Sequence, residues 1–404
     1  MKKKTIVHAA LCTLLLGSPV HASPAPARAA SSGLDHVTTV GYSDGMHLVV
    51  TRVRGRDYVF ASTSTAAGGG IRVFDVTKPA APKLVAQVPC TGGQGFLDIS
   101  HDGKTLIVAE GVRHPADVCM EAGVTGFYTI DISNPRKPKP LGAAISPEPG
   151  HHLRAHPTKP YVYMTYGAVV PTKAEEVGTY EVWSIADPAK PKFVTVAKVT
   201  GLHGPHDIEF SPDGEYAVAS SMTALQVLDT SDAESPQEVE VLQCPGCSHN
   251  HEAHFTPDGK HVVVSDETTG GAASPCPMGA LYFYEFDEAG APYMDLIGEW
   301  QPAEAGTPQG APTNAPLCTS HVFGISADGT KVAASWHNGG VRVVDISEMD
   351  GASVGPHGPG GAREIGWFVN DGADAWSAKF DRRGRYVFVN DRVHGFEVYR
   401  VSGS

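Results

Sequence analysis

The 404 residues carry 31 Lys and Arg against 44 Asp and Glu, a formal charge of -13 that becomes -16 once the three lysines at the N-terminus are set aside. So acidic a chain repels phosphate backbones and anionic lipid, which excludes nucleic-acid binding as a leading class of function. Charged residues are only 19%, and 45 glycines with 31 prolines favour many short strands and turns, so the chain is expected to be mostly β.

In chain order, Lys2, Lys3 and Lys4 followed by the apolar run Ile6 to Leu16 and the small-residue site Val20-His21-Ala22 read as a secretory signal over residues 1–22. That run is too short to span a bilayer, and Cys12 within it is too early for a lipidation cysteine. Residues 23–35, rich in Ser, Ala and Pro, read as a disordered leader, and a single domain is expected over 36–404. The expectation is a monomer without a membrane span, exported to a periplasmic or extracellular space.

The remainder repeats. "HLVVTRVRG" from His47, "GFLDISHDG" from Gly95, "HLRAHPTKP" from His152, "HDIEFSPDG" from His206, "HEAHFTPDG" from His251, "HVFGISADG" from His321 and "WSAKFDRRG" from Trp376 are seven versions of one motif, spaced by roughly 45 to 70 residues. Each precedes a β-branched run such as "YVFAS", "TLIVAE" or "HVVVSD". A third strand and a Pro-rich turn to an outer fourth strand then follow in most copies, where a missing ladder N–H does least harm. Four strands cannot bury both faces alone, so seven copies predict an all-β fold, a single seven-bladed β-propeller of four-stranded blades. The last copy lacks its fourth strand. "HVTTVGY", His36 to Tyr42, can supply it and close the ring.

The phrases "IRVFDVTKPAAPKLVA" and "FYTIDISNPRKPKPLG" resemble the LVIVD-repeat family of exported β-propellers, over nearly all of residues 36–404. The resemblance implies the fold and leaves the chemistry open. "PHDIEFSPDG" is also similar to a motif of the selenium-binding protein and methanethiol oxidase family, which implies a copper-dependent propeller oxidising a small thiol. That second likeness is short, and no substrate is carried over from it.

Aligned on the turn glycine (proline in the third copy), the position eight residues earlier is His47, Gly95, His152, His206, His251, His321 and Trp376. Five of seven are histidine in a chain with 19 histidines overall. In a propeller these first residues of the innermost strands form a ring at one mouth of the axial channel. Buried imidazoles there need water, one another or an ion, because each uncompensated polar group costs about 1–3 kcal/mol. For a lone channel histidine, hydrogen bonding around buried water is the simpler reading. For five together the expectation is a metal site made by His47, His152, His206, His251 and His321. Imidazole without thiolate suits Cu, Zn, Fe or Ni; Cu is preferred, with Zn or Fe possible.

The loops between second and third strands return to the same mouth with Glu110, Asp266, Glu267, His337, Asp391 and Arg392. Carboxylates beside imidazole ligands fix their tautomer. Glu267, Asp266 and His337 are the candidate catalytic proton acceptors. Gly95 leaves space for a small-molecule substrate, Trp376 offers a ring to stack on it, and Glu110, Asp391 and Arg392 complete the substrate side. In this register His249 belongs to the loop before the ring position, and His254 lies further down the strand.

Six cysteines remain beyond the leader, an even count that favours disulfides in an oxidising compartment. Topology suggests Cys90–Cys119 and Cys276–Cys318. "CPGCSHNH" reads as a Cys244–Cys247 disulfide, with a metal site or redox dithiol as alternatives, since no second CxxC accompanies it. No HExxH zincin motif occurs. The leading expectation is a copper-dependent oxidoreductase. A zinc-dependent hydrolase or lyase and a non-catalytic LVIVD-type binding scaffold are the alternatives.

Overall fold

The computed structural model describes residues 30–402 apart from 65–69, 91–94, 112–118, 120–123, 167–177, 201–203, 245, 269–277, 303–317 and 350–361. Seven antiparallel sheets follow one another along the chain, each ordered from an innermost to an outermost strand. The innermost strands are Gly45–Val53, Leu97–Ile99, Leu153–Ala155, Asp207–Phe210, Asn250–Phe255, Phe323–Ile325 and Ala375–Phe380. The second strands, among them Arg56–Thr63, Thr105–Glu110 and His261–Asp266, are apolar on both faces because neighbouring blades cover both. Thus Phe60, Ile71 and Val73 of the first blade pack with Leu106, Val108, Tyr128 and Ile130 of the second. No helix among the described residues is long and apolar enough to cross a membrane.

The DG turns between first and second strands are built alike. Ser100, Ser211, Thr256 and Ser326 each donate a hydroxyl to the aspartate two residues on, at 2.5–2.8 Å. The glycine that follows has a φ of +69° to +79°, a conformation that a side chain would strain.

A second regularity lies at the rim. In every blade the pairing of third and fourth strands skips one residue of the outer strand: Val85, Leu141, Val194, Val239, Ile297, Ile365 and Val37. All seven are aliphatic, and a bulge at that place adds the twist an outer strand needs as it splays from the axis. Val37 belongs to Leu34–Gly41, which pairs with Gly395–Val401 and closes the seventh blade, as predicted from the sequence.

One expectation is corrected. Residues 23–35 are not wholly a disordered leader, because Ala30–Ser32 pairs with Arg363–Val369 as a fifth strand on the sixth blade, and Leu34 and Asp35 already belong to the closing strand. The outer edge of a blade offers unpaired backbone groups, and a Ser/Ala segment satisfies them as well as any other. Gly33, φ +65°, lets the chain pass between the two blades where a Cβ would strike the Ile365 carbonyl. The expected signal and residues 23–29 lie outside the described residues.

Cys90–Cys119 and Cys244–Cys247 are disulfides as predicted, which is compatible with an exported protein. Cys318 is disulfide-bonded too, and its expected partner Cys276 lies outside the described residues.

Candidate metal centre

At one mouth of the channel seven imidazoles adjoin one another. Ring centroids lie 4.8 Å apart for His151 and His152, 4.4 Å for His152 and His206, and 4.2 Å for His206 and His251. The series continues with 4.1 Å for His251 and His321 and 4.4 Å for His321 and His337, while His249 sits 4.8 Å from His206. The register thus brings together His152, His206, His251 and His321, the starts of four consecutive innermost strands. Their rings converge because each strand enters the channel at the same height.

Backbone and carboxylate groups orient these rings. His206 donates its Nδ1–H to the His251 carbonyl at 2.8 Å, and His321 donates Nδ1–H to the Trp376 carbonyl at 2.7 Å. A carbonyl can only accept, so both rings keep a lone pair on Nε2. His152 turns Nδ1 toward Asp207 Oδ1 at 3.3 Å. Such outer contacts fix the tautomer of a ligand and raise its basicity. Burial pushes His151 and His321 down to about 4, and His152, His206 and His251 well below the ordinary imidazole value, so all five are neutral near pH 7.

Glu267 is the carboxylate of the site. One of its oxygens lies 3.4 Å from His249 Nδ1 and 3.8 Å from His251 Nε2, the other 3.5 Å from His337 Nε2. Burial alone would raise it, but the His337 hydrogen bond and the surrounding imidazoles hold it at about 2. His337 also hydrogen-bonds Asp374 through Nδ1 at 2.8 Å. Against the cost of burial, these two carboxylates push His337 up to about 9, which makes it a proton donor at neutral pH. Its φ of +46° holds the ring in the mouth at some backbone cost.

Two groups can hold a metal ion here: His151 with His152 and His206, and His251 with Glu267 and His321, each with ligand atoms all within 4.8 Å of one another. His251 Nδ1 is buried without a hydrogen-bond partner, an unmet demand in the same place.

Several predicted residues stand elsewhere. His47 is not in the metal groups, because Phe96 lies between it and His152, with ring centroids 4.0 Å away on each side. His47 Nδ1 accepts the Leu97 N–H at 3.1 Å, so Nε2 carries its proton and has no lone pair to give. The substrate space expected at Gly95 is filled by the same Phe96 ring, and the Gly95 carbonyl accepts the Ser62 hydroxyl. Asp266 is turned to the loop backbone and not into the histidine cluster. Its carboxylate takes the N–H groups of Ser248 and His249 and the Thr268 hydroxyl, and so shapes the loop that presents His249. Asp391 likewise accepts N–H groups from Val393, His394 and Asp374. Asp391, His394 and Glu397 form a third group with metal-capable spacing, but hydrogen bonds from Asn370 and Tyr399 also occupy Glu397. Glu110 is fully buried at the end of its strand, in none of the three groups. Trp376 does border the site, 4.4 Å from His321, and Arg392 stacks over it at 5.3 Å while pairing with Asp374.

Sequence reasoning missed His151, and it assigned His249 to a loop outside the ring. The available signal was local: "HHLR" and "HNHE" each place an extra imidazole one or two residues before the aligned position. Phe96 and Asp207 carried no comparable signal.

Below the histidines the channel holds a buried ionic network. Arg154 pairs with Asp207 at 3.0 Å, Glu209 at 2.8 Å and Glu252 at 2.6 Å. His254 adds contacts to Glu252 at 3.1 Å and Glu209 at 3.4 Å, and Lys379 is held by the Phe323 carbonyl. A cavity of about 380 Å³ bordered by His47, Asp98, Arg154, Glu209, His254 and Lys379 adjoins this network.

Neither a protein-family model nor a curated protein sequence matches this chain. Solved structures do. The β-propeller domain of Cps50 (Swd1) from Myceliophteria thermophila covers 90% of this chain and 99% of its own, with a TM-score of 0.59 at 11% identity. A functionally unknown protein from Desulfotomaculum acetoxidans covers 77% and 84%, with 0.56 at 16%. Hydrazine synthase from Kuenenia stuttgartiensis covers 91% and 98%, with 0.63 at 14%. At such identities the likeness establishes the β-propeller fold and nothing of the chemistry.

Proposed function

We propose that this chain is an exported, copper-dependent oxidoreductase of the LVIVD-repeat type, acting on a small molecule at the histidine-lined mouth. The observation that carries the reading is the convergence of His151, His152, His206, His251 and His321 with Glu267, buried and with neutral imidazoles. His206 and His321, held at Nδ1 by carbonyls and with a lone pair on Nε2, are the kind of donor that copper favours, with zinc second. When bound, copper would accept electrons from the donor molecule and pass them to an external electron acceptor. The chain's own residues would do the rest: Glu267, kept ionised, is the carboxylate placed to take up the proton that oxidation releases from the substrate, and His337, kept charged, holds that carboxylate in position. Trp376 and Arg392 form the bordering wall and give a flat ring and a positive charge to a small substrate.

Metal content tests the reading. Protein purified after loading with Cu(II) or Zn(II) and desalting should retain metal, and the His206→Ala/His251→Ala variant should lose it with the fold intact by circular dichroism. Metal-free protein whose melting is unchanged by added Cu(II) or Zn(II) would leave a non-catalytic propeller with a wet, histidine-lined channel. Retention of zinc alone, with copper excluded, would turn the reading to metal-activated water and hydrolysis or lyase work.

A further inference from the structure

We infer that the mouth holds two metal ions side by side, one in the pocket of His151, His152 and His206 and one in the pocket of His251, Glu267 and His321. The inference rests on the metal reading above and goes beyond it in number and arrangement. Six donors exceed what one such ion takes, since copper and zinc in imidazole sites bind about four ligands.

The orientation of the fixed rings divides the donors. His206 cannot turn its Nδ1 toward an ion without giving up the His251 carbonyl, so its ligand atom is Nε2, and that atom lies 2.7 Å from His151 Nε2. His321 cannot turn without giving up the Trp376 carbonyl, so its Nε2 is spent beside Glu267 and His251. Two rings fixed through their far nitrogens therefore serve different pockets. The contact between His151 and His206 is itself an N–H···N hydrogen bond, with His151 the donor because the His206 proton is already on Nδ1. A metal ion would replace that shared proton, and donors at roughly 2.0–2.1 Å from one ion would open the pair slightly.

The pockets meet at His206 and His251, whose ring centroids are 4.2 Å apart and whose backbone and side chain are joined by the Nδ1–H to carbonyl bond. That link makes the two pockets neighbours, the arrangement that paired-metal sites use, where ions sit about 3.5–4 Å apart. Each pocket offers three donors, so each ion keeps an open position. His249 and His337 flank Glu267 and hold its carboxylate between them.

The test counts ions and asks whether they sense each other. Wild-type protein loaded with Cu(II) and desalted is expected to hold two equivalents by elemental analysis. Its electron paramagnetic resonance signal should integrate to well under two spins, or show a half-field line, because the ions couple. The His151→Ala/His152→Ala variant and the Glu267→Gln/His321→Ala variant are each expected to retain one equivalent and give the signal of an isolated Cu(II). The retained ion reports that each variant has folded. One equivalent in the wild type, lost in both variants, would overturn the two-ion arrangement and leave the metal reading standing. Two equivalents with no sign of coupling would overturn the side-by-side placement. No retained copper in the wild type would overturn both this inference and the metal reading beneath it.

Discussion

Replacing Arg154 by methionine removes the guanidinium that Asp207, Glu209 and Glu252 share at 3.0, 2.8 and 2.6 Å. Methionine fills most of the vacated volume, so the packing loss is small, under about 1.5 kcal/mol. The electrostatic loss is larger. Asp207 and Glu252 have no exposed side-chain surface, and removing one partner of a buried pair costs about 3–5 kcal/mol because the other charge is left uncompensated. Some of that cost can be escaped by protonation. Burial already holds Glu209 at about 8 and Asp207 at about 7 against the opposing pull of Arg154, and without the arginine both rise further. Each pH unit over which one of them takes up a proton recovers about 1.4 kcal/mol. Urea unfolding of the metal-free protein, followed by tryptophan fluorescence, should therefore show a loss of about 3–5 kcal/mol at pH 8 and clearly less at pH 5. A loss below about 1 kcal/mol at pH 8, or one of equal size at both pH values, would refute the claim that Arg154 balances buried charge.

The wild-type protein should show the same network in its own pH dependence. Carboxyl groups whose folded pKa values, about 8 for Glu209 and about 7 for Asp207, lie above those of the unfolded chain bind protons preferentially in the native state. Their contribution is full below about pH 4 and is lost as pH rises through 7 to 8, so thermal stability of the metal-free protein should fall across that window. Glu209→Gln should flatten the fall, and an unchanged slope would count against the assignment. Changing Cys90 and Cys119 together to serine releases a closure of 29 residues, which should cost about 3–4 kcal/mol in denaturant unfolding. His47→Ala should leave copper content unchanged, because the ring lies beyond Phe96 with its proton on Nε2. Loss of an equivalent there would return His47 to the ligand set.

The architecture was legible because repetition is a property of the chain itself. Seven copies of one strand-turn-strand phrase fix the number of blades, and the missing fourth strand of the last copy points to His36–Tyr42 as its replacement. The same register found His152, His206, His251 and His321, since equivalent positions in equivalent blades arrive at equivalent heights around an axis. It also pointed to Glu267 and His337 through the loops that return to that mouth.

What the repeat could not convey is where each blade departs from its siblings. His47 holds the register position, yet Phe96, one residue past the aligned Gly95, separates it from the cluster. His151 and His249 lie off the register and belong to the site, while Asp266 lies beside Glu267 in sequence and is consumed by backbone N–H groups. Which nitrogen of an imidazole is free depends on carbonyls such as those of His251 and Trp376, contributed by the next blade. Sequence alone determined the ring and the residues that reach its mouth, because those follow from periodicity. Only the tertiary structure decided which of them touch and with which atom, because that is set by contacts between blades some fifty residues apart along the chain.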